Sequence, residues 1–294
     1  MKPSREIAIM AAEEYESVRS IKMRAGVGSA ARIFQTTELT FHRIVTDNPI
    51  AILVTQGDKT IAWPGGVCKA STGDVVALPC GQAFDITNHP SVEGNYEAFW
   101  LTWDSDLLSS FANTHSHARV HLTTAEVVRN LPEAFLRSYT QAFEAITNRV
   151  AIPRLIARHR LSELLLWLLE YRVFYKPDLP NTVEAKVRQL ISEDLASAWS
   201  GERVASRLNL GTSTLRRKLA EERVSLREVL QDARMSYGLS LIQSTTLSML
   251  EVGQSVGYDS ASRFAVRFKS RFGFSPSEVR GSRRGHRPLI RIGS

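Results

Sequence analysis

Cysteine is almost missing from this 294-residue chain: Cys68 and Cys80 are the only two. Two thiols cannot make a disulfide framework or a cysteine-built zinc site. They read as buried thiols of a reducing, cytoplasmic environment, a single Cys68–Cys80 bridge being the other reading. The seven histidines are scattered. His115 and His117 make the one close pair, in a polar stretch with no carboxylate beside them, so they read as a solvated loop and no metal or other cofactor is expected. No apolar run reaches the roughly 18 residues of a membrane span, so no membrane partner is expected. The opening MKPSREIAIMAAEEYE has no apolar h-region and turns acidic early, unlike a signal peptide.

What is present is an ordinary globular composition, 43% hydrophobic and 23% charged, over a length that allows two cores. The charge is uneven. Residues 1–180 hold 18 Lys and Arg against 19 Asp and Glu, a balance of −1. Residues 181–294 hold 19 against 11, a balance of +8, which with the first part restores the net +7. The positive excess therefore belongs to the second part of the chain and points to a polyanion, most simply nucleic acid. Arg283, Arg284, Arg287 and Arg291 form a basic tail, but removing them still leaves +4 in that part.

The residue pattern changes period along the chain. Over 33–105 short alternating stretches such as FHRIV, IAILVTQ, DVVALP and YEAFWLTW are separated by Asn-Pro, Gly-Asp and Gly-Gly turns, which predicts an antiparallel barrel or sandwich. Over 124–176 the spacing becomes helical, with a long segment at 153–175 rich in leucine. Pro177-Asp178-Leu179-Pro180-Asn181 breaks it, where the charge balance also shifts. Beyond it, helices are predicted at about 182–197, 201–208, 212–222, 225–244, 248–255 and 260–272, with a short one after Pro276. The domains expected are 1–176, a linker at 177–181, a helical domain at 182–281 and a tail at 282–294.

Two parts of the helical region are built alike: GERVASRLNLGTSTLRRKLAEE (201–222) and LSMLEVGQSVGYDSASRFAVRFKSRFG (247–273). Each opens with a short helix carrying a small residue, Ala205 or Gly253. Four residues later comes Asn209 or Gly257, residues that tolerate the left-handed conformation of a sharp helix end. The small residue lets a second helix cross closely, and Thr212 and Ser260 suit its N-cap. This is the helix-turn-helix pattern, present twice and joined by SLREVLQDARMSYGLSLIQS. In the second copy Phe264, Phe268 and Phe272 recur every four residues and face a core. Arg263, Arg267, Lys269 and Arg271 lie on other faces, open to phosphate or base edges.

Val256-Gly257-Tyr258, Ser260, Phe264, Arg267-Phe268-Lys269, Phe272-Gly273 and Ser275-Pro276-Ser277-Glu278 resemble the signature of the AraC/XylS family of bacterial transcription regulators. The resemblance implies two recognition helices entering successive major-groove segments on one face of double-stranded DNA. The candidate contacts are Thr212, Ser213, Thr214, Arg216 and Arg217 in the first helix. In the second they are Ser260, Ala261, Ser262, Arg263, Val266, Arg267 and Lys269. For each arginine, guanine edge, phosphate and solvent remain three readings. The chain departs from the family at Leu219 (usually Phe), Val224 (near a customary Gly), Gly253 (usually Ala) and Val266, where some relatives carry a polar reading residue.

STGDVVALPCGQAFDITN (71–88) resembles a run between strands of cupin-like sensing domains, which such regulators often carry. The whole then reads as α+β: an antiparallel cupin-like β-barrel with appended helices, followed by an all-α domain of two helix-turn-helix units on a linker helix. In metal cupins the 71–88 run ends near a histidine; here Phe84 stands there, and 50–63 holds no histidine, so no metal is implied. Trp63, Phe84 and Trp100 either line a cavity for a small-molecule effector or fill the core. The family commonly dimerises through a helix after the barrel, which assigns Leu161, Leu164, Leu165 and Leu168 to a homodimer contact. The alternative is that this helix only packs on its own barrel. The resemblance implies a transcription activator that contacts RNA polymerase, not an enzyme. Control by a partner protein, a DNA-repair enzyme (which needs a reactive cysteine with zinc ligands) and a non-specific DNA-coating protein are the competing readings.

Overall fold

The computed structural model describes residues 21–92, 94–115, 121–176 and 182–280. The expected linker at 177–181, the tail at 282–294 and His117 lie outside the described residues.

Among the described residues, ten strands form two antiparallel sheets. The larger has the order β1 (Lys22–Arg24), β2 (Gly28–Gln35), β9 (Tyr96–Trp103), β4 (Ile50–Gln56), β7 (Val75–Leu78) and β10 (Glu126–Val128). The smaller runs β3 (Leu39–Val45), β8 (Ala83–His89), β5 (Asp58–Trp63) and β6 (Gly66–Ala70). No hydrogen-bonded strand pair joins the two among the described residues, so the barrel is open. Period-2 alternation distributes the side chains of β9. Tyr96, Ala98 and Trp100 join Ile52, Val54, Ile61 and Phe84 between the sheets. Phe99, Leu101 and Trp103 point the other way, into a core shared with three helices.

Those helices are α1 (Ser105–Thr114), α2 (Glu133–Thr147) and α3 (Arg154–Glu170). Polar groups buried in their seam find partners. The Trp103 indole donates to the Leu161 carbonyl at 3.0 Å. The Tyr139 hydroxyl lies 2.8 Å from the Phe99 carbonyl and 3.0 Å from that of Ala51. The helix expected at 153–175 stops at Glu170. Arg172 takes a left-handed φ of 62°, and Val173, Phe174 and Tyr175 are buried outside any helix or strand.

The helical part comprises α4 (Val183–Ser192), α5 (Gly201–Arg207), α6 (Thr212–Glu221), α7 (Leu226–Ser244), α8 (Met249–Ser255), α9 (Ala261–Phe272) and α10 (Pro276–Arg280). It has two cores. The first packs Val204, Ala205, Leu215 and Leu219 with Val187, Ile191, Trp199 and Val229. The second packs Met235, Leu239, Val252, Phe264, Phe268 and Phe272, and draws in Phe41 from β3. The Phe41 ring meets Phe272 and Phe274 edge-on, at centroid distances of 6.0 and 5.3 Å.

A buried polar chain also crosses between the parts. The Lys59 ammonium donates to Asn88 Oδ1 (2.5 Å), Asn88 Nδ2 donates to Gln35 Oε1 (3.0 Å), and Gln243 Nε2 on α7 donates to that same oxygen (3.1 Å).

Candidate nucleic-acid interface

The two helix-turn-helix units share their turn geometry. Ser200 caps α5 by accepting from Arg203 N, and Ser248 caps α8 in a full capping box with Glu251. The Ser248 backbone and side-chain hydrogen bonds hold the Glu251 carboxyl below its ordinary range. Each first helix ends at a left-handed residue, Asn209 (φ 54°) or Gly257 (φ 78°). The next amide folds back onto the small residue: Leu210 N donates to Ala205 O at 2.8 Å, and Tyr258 N to Gly253 O at 2.9 Å. This closure turns the chain sharply into the second helix. At Gly257 a side chain is excluded twice, since a Cβ would also sit 2.7 Å from the Arg234 guanidinium.

The small residues serve the close crossing that the spacing predicts. A Cβ on Gly253 would lie 3.2 Å from Phe264 Cβ, and one on Gly238 of α7 would lie 2.9 Å from the Phe264 ring. Arg234, also on α7, donates to the carbonyls of Leu195 and Ser197, both at 2.9 Å, with its guanidinium 5.9 Å from the Tyr258 ring centre. One helix thus braces both units. Burial pushes the Tyr258 hydroxyl up, against the pull of Arg234 and Arg267.

The second helices, α6 and α9, turn inward with Leu215 and Leu219, and with Phe264, Phe268 and Phe272. Leu219 occupies the place Phe268 has in the other unit, so its departure from phenylalanine leaves the packing logic intact. The remaining faces are open. Thr212, Ser213, Arg216 and Arg217 are exposed on α6, with Thr214 half-buried. Ser262, Arg263, Val266, Arg267 and Lys269 are exposed on α9, with Ser260 and Ala261 half-buried at its start. Ser260 caps α9 by accepting from Arg263 N at 3.3 Å. Each predicted set is therefore gathered on the outer side of its own helix.

Three expectations change. Thr212 is not an N-cap: Gly211 takes that position without a side-chain bond, and Thr212 is the first helical residue. Arg271 is not open to DNA. Its Nε donates to Asp232 at 2.7 Å, and its two terminal nitrogens donate to the carbonyls of His42 and Arg43, each at 2.8 Å. Leu161, Leu164, Leu165 and Leu168 do not form a surface; they are buried against the chain's own sheet and α2. The exposed apolar residues of α3 are Leu155, Ile156 and Leu166.

Trp63, Phe84 and Trp100 all lie in the core between the sheets, Trp63 and Phe84 in an edge-on pair at 6.2 Å. A cavity of about 550 Å³ opens at one end of the sheets instead. It is lined by Pro49, Pro64, Pro79, Leu122 and Lys176, together with the stretch Cys80–Ala83. His115 ends α1 against the Phe111 ring, 4.4 Å away, and no group of three potential metal ligands exists among the described residues.

Sequence reasoning missed the acids beside the reading residues. Arg217 is paired with Glu221 at 2.5 Å and Arg263 with Asp259 at 3.2 Å. Both pairs are spaced i,i+4, a signal readable in the sequence. It also missed Lys59, although its two-residue offset from buried Ile61 already places it on the inward face.

Residues 204–282 match the Helix-turn-helix domain family, and residues 49–172 match the ExsA N-terminal regulatory domain. The Transcriptional regulator SirC of Salmonella typhimurium is 27% identical over 203 residues, covering 63% of this chain and 69% of that protein. The HTH-type transcriptional regulator GadX of Escherichia coli is 31% identical over 171 residues, covering 56% and 61%. Among solved structures, ToxT from Vibrio cholerae superposes with a TM-score of 0.61 in an apo form carrying one substitution, at 15% identity over 87% of this chain and 97% of that one. A ToxT structure bound to an unsaturated fatty acid gives 0.60 at 16% identity, over 87% and 96%. These two likenesses show a shared two-domain fold.

Proposed function

We propose that the chain is a transcription regulator of the AraC/XylS type, the class to which its two matched regions point, and that α6 and α9 read two base blocks about one helical turn apart on double-stranded DNA. The observation that carries this is the matched pair of open, basic outer faces on two helices that follow the same sharp turn and bury their core residues at the same spacing. Phosphate contacts supply most of the affinity, and Arg216, Arg217, Arg263 and Arg267 supply the candidate base contacts. The test is selection of sites from random duplex at about 150 mM salt, where non-specific phosphate binding is suppressed. Two enriched blocks, each lost with the arginines of one helix, would support the reading. No enrichment, with the full chain and with residues 182–281 alone, would refute it.

The same reading makes the protein a cytoplasmic activator that contacts RNA polymerase. We also propose a homodimer through α3. Leu155 and Leu166 are 81% and 44% exposed and lie about three helical turns apart on one stripe, with Ile156 beside them. Sedimentation of Leu155→Asp against the unaltered chain tests it. For the effector, the cavity at the end of the sheets has prolines and Leu122 for walls and Lys176 as the one charged lining residue among the described residues. That chemistry suits an apolar molecule ending in a carboxylate, and a related fold, ToxT, has been solved with an unsaturated fatty acid. A ligand seated against Lys176 would bear on the residues that lead into the helical domain. A thermal-shift series of aliphatic carboxylates, with Lys176→Ala as the control, decides it.

A further inference from the structure

The second reading helix carries an anomaly at its centre. Val266 is 68% exposed on a helix whose other apolar residues are buried in the phenylalanine stripe, apart from Ala261 and Ala265 near its start. With about 3.6 residues per turn, it lies on the side opposite Phe264, Phe268 and Phe272, between exposed Ser262 and Ser270. Arg263 and Lys269, three residues away on either side, flank it. Nothing among the described residues covers it, and a β-branched residue does not favour a helix. Neither packing nor local structure accounts for a valine there.

The first unit supplies an internal comparison. Counted from the N-caps Gly211 and Ser260, the core residue Leu215 corresponds to Phe264, and Arg217 corresponds to Val266. The outermost position is thus a hydrogen-bonding cation in one helix and an aliphatic group in the other. Valine can donate nothing to a phosphate or a base edge. The one apolar group on the floor of the major groove in unmodified DNA is the 5-methyl of thymine.

We infer that Val266 is a specificity-determining residue, which packs against the methyl group of a thymine in the block read by α9. This rests on the proposed DNA reading. It makes the two blocks chemically unlike: the position facing Arg217 favours guanine, and the equivalent position facing Val266 favours thymine.

The test uses the full chain and its selected site, with each thymine replaced in turn by deoxyuridine, which keeps every hydrogen-bonding group and lacks only the methyl. The dissociation constant is read by fluorescence anisotropy. One replacement, in the block lost with Arg263→Ala, is expected to weaken binding about fourfold, the equivalent of one methyl group returned to water. Val266→Ala is expected to bind the thymine and uracil sites alike, and its unchanged thermal melt shows that it folds. Overturning results are a site at which every uracil replacement leaves binding unchanged, or a Val266→Ala protein that keeps the full uracil penalty. Either, with Arg217→Ala and Arg263→Ala still abolishing their blocks, sinks the role of Val266 alone. Failure to select any site removes the DNA reading beneath it.

Discussion

Lys59 gives the most quantitative prediction. Its side chain is buried, its ammonium rests 5.1 Å from the Tyr96 ring centre, and its hydrogen-bond partner is the neutral amide of Asn88. No carboxylate pairs with it among the described residues. Burial disfavours the charged form and lowers its pKa from 10.5 to about 7. Between those values the unfolded chain binds a proton that the folded chain does not, so stability must rise with pH across the window. Below pH 7 the folded lysine is protonated too, and the penalty levels off at about 5 kcal/mol. Between pH 7 and 9 the linkage relation gives a gain of about 2 kcal/mol from this one group. Urea denaturation of the unaltered chain and of Lys59→Met, followed by tryptophan fluorescence at pH 7, 8 and 9, isolates it. Burial also raises the hydroxyls of Tyr96, Tyr139 and Tyr175, but these act above pH 10 and are common to both proteins. The stability difference between the two should change by about 2 kcal/mol over the range. Parallel curves would refute the buried uncompensated charge.

Further outcomes are expected elsewhere. Gly238→Ala gains about 1 kcal/mol of helix propensity, yet its Cβ meets the Phe264 ring at 2.9 Å. A net loss is expected, since overpacking costs about 1–3 kcal/mol, read as a lower urea midpoint. Ser260→Ala removes the cap of α9 and should cost about 1 kcal/mol, with a matching loss of affinity confined to the second block. Phe41→Ala vacates the joint between the two parts, and calorimetry should then resolve two unfolding transitions where the unaltered chain shows more overlap. Arg217→Ala and Arg263→Ala should each cost about 1–3 kcal/mol of specific binding, at different blocks.

The helix-turn-helix units were legible because their signals are local. Asn209, Gly257, Ser260 and the phenylalanine stripe each act within one or two turns of chain, and the backbone angles and caps follow them. The sheets were legible from alternation, though the same alternation left open whether Trp63, Phe84 and Trp100 faced a cavity or a core. What escaped was long-range. Arg271 looks like any other basic residue of α9 until β3, more than two hundred residues away in sequence, offers it two carbonyls. The α3 leucines form an apolar face whether a partner or the chain's own sheet covers them, and periodicity cannot say which. Cap placement at Thr212 missed by one residue because Gly211 leaves no side-chain signal.

The joint at Phe41 makes the two halves of the helical domain mechanically unequal. The second half shares an apolar core with the sheets, whereas the core of the first draws no residue from them. The first half meets the sheets instead across a polar cleft, where Arg43 faces Arg188 and Arg223. Water hydrates and loosens a contact where like charges face each other, but it tightens an apolar one. On the proposed reading, the block that α9 meets is the one tied through an apolar core to the sheets, while the apolar core of the α6 unit takes part only through its packing on α7. Tolerance to altered spacing on the DNA should fall on the first block and spare the second.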